Sequence, residues 1–217
     1  MLPATVALFV LLSQAVLRVS CAGDVAALRY LLDAPARAVP LNSSKGKSAL
    51  LSTDTTSDMY WLSFHHLTTQ KTQSYCGIAT SALILNALNI DQAPVDPLYE
   101  PYRYWTQDNF FNNCTNEIAT AYTVLHCGTT LDELAQMLRC HHMFSYQYHA
   151  NETTEGFFRG YVAYALGNNM IVAANFRRVE LGEQGGGHWS PLLAFDPVED
   201  MVLLTGRRCI CSFHIDF

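Results

Sequence analysis

The stretch QKTQSYCGIATSALILNALNID, residues 70–91, holds the strongest local signal in the chain. Up to Tyr75 it is polar and suits a loop. From Cys76 onward, Ile78, Ala79, Ala82, Leu83, Leu85, Ala87 and Leu88 recur at helical spacing with good helix formers between them, which predicts a buried helix beginning at Cys76. That placement bears on chemistry. Thiolate is the reactive form of cysteine, and the positive end of a helix dipole stabilises it. Gln70, six residues upstream, can offer its amide N–H groups to an oxyanion, joined by the backbone N–H of Cys76. A buried structural cysteine is the alternative, because free cysteine is among the most buried residue types. Cys76 alone admits both readings; Gln70 and a histidine far downstream favour the catalytic one.

That histidine is His188, which follows Gly185-Gly186-Gly187 and opens a β-rich run. Backbone room on one side and a strand on the other suit a ring presented at the rim of a sheet, as a base for Cys76 and an acid for a leaving amine. A hydrogen-bonded core histidine is the bland reading. A cysteine with a histidine more than a hundred residues later is the order found in papain-like enzymes, and it also arises by chance. Around this pair the chain sorts into helices first and strands last. Thr130-Leu131-Asp132-Glu133 is a capping box opening a helix through Leu138, and another helix is expected over residues 155–166. MIVAANF (170–176), HWSPLLAF (188–195) and MVLLT (201–205) read as strands. Residues 91–116, with Pro94, Pro97 and Pro101, read as a long surface connection. This order predicts an α+β domain, a helical part followed by antiparallel sheet.

With 217 residues, 50% of them hydrophobic, the chain suits one compact domain. A net charge of −6 with 15% charged residues gives no field that attracts nucleic acid or anionic lipid. The opening MLPATVALFVLLSQAVLRVSCAG is one apolar run followed by small residues. It reads as a secretory signal over residues 1–22, cut near Cys21 or Ala22, too short for a membrane span and leaving none after cleavage. The expected destination is the secretory pathway, outside the cell or in a vacuolar or lysosomal lumen. Sequons at Asn42, Asn113 and Asn151 fit glycosylation on that route. Of the seven cysteines, losing Cys21 and reserving Cys76 leaves an odd number, so an oxidising compartment allows disulfides with at least one further thiol unpaired. Residues 23–60, including a helical stretch Val25–Leu32, read as a loosely packed lead-in, residues 61–205 as the catalytic domain and residues 206–217 as an atypical tail.

Residues 70–91, YRYWTQDNFF (102–111), GTTLDEL (128–134) and GGHWSPL (186–192) resemble, in order and spacing, the phytochelatin synthase family, especially its short bacterial-type members. The resemblance covers residues 45–205. It implies a papain-like fold with Cys76 as nucleophile, His188 as acid/base and Gln70 as oxyanion donor. It also implies a reaction: the thiolate attacks the Cys-Gly amide of glutathione, releases glycine, and passes the γ-Glu-Cys acyl group to a second glutathione or a growing phytochelatin peptide. Heavy-metal ions such as cadmium and zinc are implied as activators through the metal–thiolate form of the acceptor, with no fixed cofactor. Arg178 lies where short members carry an arginine, so contact with a glutathione carboxylate stands beside a solvated loop arginine as its reading.

The pattern breaks near the end. The family places a triad Asp eighteen residues after the histidine, and that position is Gly206. If residues 196–200 turn a hairpin, Thr205 to Arg207 lie opposite His188 and none is acidic, while Asp200 is roughly 20 Å away at about 3.3 Å per residue. Beyond Thr205, GRRCICSFHIDF (206–217) departs from the family, which reads as a C-terminally truncated form of the domain. Losing the orienting acid costs on the order of 10³–10⁴ in rate in comparable triads, less where a Cys–His ion pair makes its own nucleophile, so weak activity is expected. The alternatives are a glutathione hydrolase with the same site, a general papain-like peptidase, which the extent of the resemblance disfavours, and a non-catalytic thiol- or metal-binding relative. Cys140-His141-His142 and Cys209-x-Cys211-x-x-His214 group the ligands soft metals prefer without a structural-zinc spacing, so disulfide bonding or surface placement is expected of both. His65-His66 and Tyr102 to Trp105 either line a cleft or pack in the core.

Overall fold

The computed structural model describes residues 5–11, 38–205 apart from 53, 91, 98, 99 and 182, and 210–214, with backbone alone at 5–11 and 210–214. In chain order its elements are β1 (Thr5–Leu11), β2 (Ala38–Pro40), α1 (Ser44–Leu50), α2 (Asp58–Ser63), α3 (Cys76–Ala87), α4 (Asn113–Ile118), α5 (Ala121–Cys127), α6 (Leu131–Arg139), β3 (Phe144–His149), α7 (Glu155–Gly167), β4 (Ile171–Arg177), β5 (Gly187–Asp196), β6 (Met201–Thr205) and β7 (Ile210–His214). The strands form one sheet in the order β2-β7-β6-β5-β4-β1-β3. From β4 through β5, β6 and β7 to β2 every pairing is antiparallel, as expected of a hairpin-connected run. The architecture is α+β.

Helix α3 begins at Cys76, and Gly77, Ile78 and every residue from Thr80 to Leu85 are buried. A helix apolar on most of its circumference has to sit inside the domain, and α3 lies against β5. Strand β5 is buried from His188 to Asp196, and β4 from Ile171 to Ala174; successive side chains point to opposite faces, so these strands are covered on both, with α1, α2, α3 and α7 packed against β5. The capping box at α6 forms as the sequence implies: Glu133 N–H donates to Thr130 Oγ1 (3.2 Å) and Thr130 N–H to the Glu133 carboxylate (2.8 Å). No described helix is long and apolar enough to cross a membrane.

Three stretches differ from the sequence reading. Residues 91–116 are not a surface connection throughout: Trp105 and Phe110 are in the core. The Asn86 side chain on α3 explains why, since it accepts from Trp105 N–H and donates to the Trp105 carbonyl, both at 2.8 Å, pairing backbone groups that burial would otherwise orphan. Helices α4 and α5 and strand β3 lack strong periodicity and were not anticipated. Within the lead-in, β2 and α1 are ordered elements and α2 spans the 60/61 boundary, with Met59 1% exposed. The apolar run read as a signal contributes β1, which lies parallel to and between β3 and β4. A continuous apolar run suits a central parallel strand as well as a signal core. The Val25–Leu32 stretch lies outside the described residues.

Candidate active site

Cys76 and His188 line one cavity of about 280 Å³, together with Gln70, Thr69, Ala79, Trp189 and Thr205. The fold joins them by laying the first turn of α3 across the start of β5. The loop that delivers Cys76 is tied down on both sides. Gln107, 7% exposed, accepts from Lys71 N–H (2.8 Å) and donates to the Thr69 carbonyl (3.0 Å). Ser74 Oγ donates to the Leu125 carbonyl at 2.7 Å, and Tyr75 Oη to that of Ala121 at 3.3 Å. Gly77 is required by close approach: a Cβ there would stand 2.4 Å from Thr129 Oγ1 and 3.1 Å from Trp189 Cδ1.

The sulfur of Cys76 is unpaired covalently. Burial pushes the thiol pKa up, because desolvation penalises the thiolate. Opposing this, the backbone N–H groups of Trp189, Gly77 and Cys76 face the sulfur, and the charge of Arg178 adds to them. The Gly77 and Cys76 donors belong to the first turn of α3, where no intrahelical acceptor exists. They are aimed where negative charge on sulfur, or on an atom bonded to it, would develop.

His188 is 4% exposed, with its ring edge-on to Phe176 at 5.6 Å. Its pKa is lowered to about 4, first by desolvation and then by the Arg178 charge, against a carbonyl contact from Thr205 that raises it. Arg178 Nη2 donates to His188 Nδ1 at 2.7 Å, and Arg178 Nη1 to Glu183 at 3.0 Å. The arginine singled out in the sequence is therefore brought against the histidine. Gln70 is also in the cavity, but its Nε2 donates to the carbonyls of Thr72 (2.6 Å) and Gln73 (2.9 Å). As it stands, both of its amide N–H groups are used within the loop. The polar turn ahead of α3 carries carbonyls that need a partner, and Gln70 supplies one for Thr72 and Gln73.

The acids of the hairpin are accounted for. Asp200 accepts from Arg159 Nε at 2.6 Å and Nη2 at 2.5 Å, and Asp196 accepts the turn N–H groups of Val198 and Glu199. Neither is at His188. Position 206 lies outside the described residues, as does Cys209, and β7 shows only the backbone of Cys211 and His214.

A family model described as phytochelatin synthase matches residues 29–207. The chain belongs to the phytochelatin synthase family. It is 30% identical over 137 residues, 63% of this chain and 27% of the relative, to glutathione gamma-glutamylcysteinyltransferase 3 of Lotus japonicus. It is 23% identical over 202 residues, 89% of this chain and 46% of the relative, to glutathione gamma-glutamylcysteinyltransferase of Schizosaccharomyces pombe. The chain thus spans less than half the length of these relatives of the phytochelatin synthase family. The α+β arrangement, with α3 carrying Cys76 across a largely antiparallel sheet that carries His188, is the papain-like form of that family.

The remaining sequence candidates separate. Cys140 is bonded to Cys114, with Cα atoms 5.7 Å apart, and His141 is buried beside Trp105 and Phe110, so Cys140-His141-His142 is a structural segment. Among the described residues no group of three or more His, Cys, Asp or Glu is placed to hold a metal ion. His65 and His66 touch with ring centroids 3.9 Å apart and planes tilted at 47° in a 3₁₀ turn, Tyr102 is 73% exposed and Trp105 is core; none lines the cavity. Asn42, Asn113 and Asn151 are all exposed. Sequence reasoning missed Trp189, Gln107 and Glu183, and placed Thr205 opposite His188 without giving it a role. Trp189 follows His188 directly and its indole donates to the Thr129 carbonyl at 3.1 Å, but nothing in the sequence marks its N–H as facing a sulfur.

Proposed function

We propose that this chain is a cysteine acyltransferase acting on glutathione, with Cys76 as nucleophile and His188 as the proton carrier. The observation that carries the reading is the sulfur of Cys76, at a helix start, facing three backbone N–H groups in the cavity it shares with His188. The names of the relatives point to the same substrate. On this reading the Cys76 thiolate attacks the carbonyl carbon of the Cys-Gly amide, and the oxyanion forms near the first-turn N–H groups of α3. The intermediate collapses with cleavage of the C–N bond, the glycine nitrogen takes a proton from the His188 imidazolium, and a γ-Glu-Cys thioester remains. The α-amine of a second glutathione then attacks the thioester, returning the sulfur and giving a longer peptide. Water in its place gives γ-Glu-Cys. Heavy-metal ions enter as the metal–thiolate form of the acceptor substrate. The secretory route and glycosylation at Asn42, Asn113 and Asn151 belong to the same proposal.

The test is incubation of the purified chain with glutathione, with and without cadmium, following glycine and thiol peptides by mass spectrometry beside Cys76→Ser. Glycine release that disappears in the variant is expected, and the product distinguishes transfer from hydrolysis. Release of equal size from both proteins would refute the assignment of Cys76.

A further inference from the structure

Between the two peptide planes that flank a Cα the backbone has only two soft rotations, φ and ψ, so a group that grips both planes fixes where the side chain between them points. Gln107 grips both planes around Gln70. Its Nε2 donates to the Thr69 carbonyl at 3.0 Å, which lies in the plane before Gln70, and its Oε1 accepts from Lys71 N–H at 2.8 Å, which lies in the plane after it. Residues 67–71 belong to no helix or strand, so this stretch has no ladder of its own to hold it. Among side chains of this length only a carboxamide suits the place. It carries a donor and an acceptor on one planar group, whereas a carboxylate only accepts and a thioether is no donor.

Gln107 is itself held firmly. It is buried in a turn that Phe110 N–H closes onto the Thr106 carbonyl at 3.1 Å. Thr106 N–H donates to Asn109 Oδ1 at 2.7 Å and Asn109 N–H to Thr106 Oγ1 at 3.1 Å, which cross-braces the same turn, and Phe110 roots it in the core. Asp108 and Lys71 form an ion pair across the same gap, but both ends are solvent-exposed and such pairs contribute little. The buried amide is the part of the contact that can hold a geometry. What it holds faces the nucleophile, since Thr69 and Gln70 line the cavity with Cys76. Without substrate the Gln70 amide serves the Thr72 and Gln73 carbonyls; rotating the side chain about a Cα that stays in place turns the same N–H groups toward a substrate oxygen.

We propose that Gln107 is a positioning residue for the oxyanion side of the Cys76 cavity: by gripping the peptide planes before and after Gln70, it keeps that side chain within reach of a carbonyl oxygen whose carbon Cys76 attacks. The proposal rests on the acyl-transfer reading in one respect, that an oxyanion forms in this cavity. It deepens that reading by tracing the aim of the Gln70 donor to a residue that touches neither the sulfur nor the substrate. Loss of the grip leaves the thiol as nucleophilic and as accessible as before, and costs only those reactions of Cys76 that pass through an oxyanion.

The test compares two reagents on wild-type protein and on Gln107→Met, which keeps the side-chain length and removes both bonds. With p-nitrophenyl acetate the thiolate attacks the ester carbonyl, the tetrahedral oxyanion collapses with cleavage of the C–O bond, p-nitrophenolate leaves, and an acetyl thioester remains on Cys76. With iodoacetamide the sulfur displaces iodide at a saturated carbon and no oxyanion forms. Mass spectrometry of the Cys76 peptide separates its reaction from that of the exposed Cys127. Gln107→Met should slow acylation about tenfold or more and leave alkylation within about twofold. In a Gln70→Ala background the same substitution should add little, because the two residues act as a unit. Unchanged acylation, an equal fall in both reactions, or a full additional effect without Gln70 would each overturn the proposal. If Gln107→Met fails to fold, Gln107→Glu, which keeps the acceptor for Lys71 and loses the donor to Thr69, is read by the same criteria. In the wild type the Lys71 amide should be protected from hydrogen exchange, and exchange at the rate of a free peptide overturns the proposal whatever the variants do. Glutathione enters none of these readouts: glycine release with acylation unaffected by Gln107→Met sinks this inference alone, and the expected acylation pattern without glycine release sinks the choice of glutathione alone.

Discussion

Replacing His141 by leucine should make the protein resist acid better than its parent. The His141 ring is 2% exposed, lies 4.6 Å from both the Trp105 and Phe110 rings, and has an Nε2 with no hydrogen-bond partner. Burial, with help from His142, pushes its pKa from 6.5 to about 4, against a raising contact from the Phe110 carbonyl. The folded state therefore binds fewer protons than the unfolded chain between those values, and stability falls as pH drops through 6.5 toward 4. Moving from about pH 7 to about pH 4.5 should cost roughly 2.4 kcal/mol through this one group, at about 1.4 kcal/mol per pKa unit. His188, lowered to about 4 as well, adds a similar loss, but it is present in both proteins and cancels in the comparison. Leucine removes the titration and the orphaned Nε2, and leaves the Phe110 carbonyl without its donor, at a neutral-pH cost of about 1 kcal/mol. Urea unfolding of both proteins at the two pH values measures the difference. Equal losses of stability on acidification would refute the reasoning, because the ring would then be titrating as in solvent.

Gly77→Ala should destabilise by about 1–3 kcal/mol through overpacking, since the new Cβ would meet the buried hydroxyl oxygen of Thr129, on a short side chain, at 2.4 Å; an unchanged urea midpoint would contradict this. Converting Cys114 and Cys140 together to serine should cost about 3.5 kcal/mol by the loop-entropy relation, given their 26-residue separation, and thermal unfolding of the two proteins reads it.

Much of the site was legible because its signals are local. A polar loop turning apolar at Cys76 announces a helix start, and three glycines before an apolar run announce a strand that presents His188. The same holds for the Thr130–Glu133 capping box and for β6, whose bounds Met201–Thr205 match the β-rich run. Asp200 could be placed away from His188 from strand arithmetic alone, since the rise per residue in a strand hardly varies. Residues 91–116 were misjudged because their burial depends on Asn86, a polar residue on another element, pairing the backbone around Trp105.

The amino-acid sequence by itself determined the α+β order and the family, and singled out Cys76 and His188 as candidates, all of which rest on patterns within a few residues or on their order along the chain. Only the tertiary structure decided what surrounds them. Which N–H groups face the sulfur, that Gln70 spends its amide on its own turn, that Cys140 pairs with Cys114, and that an arginine anchored by Glu183 stands at Nδ1 are all matters of approach between distant segments. Hydrogen bonds depend on ångström-scale distance and direction, and those are fixed only when helix, loop and sheet have packed.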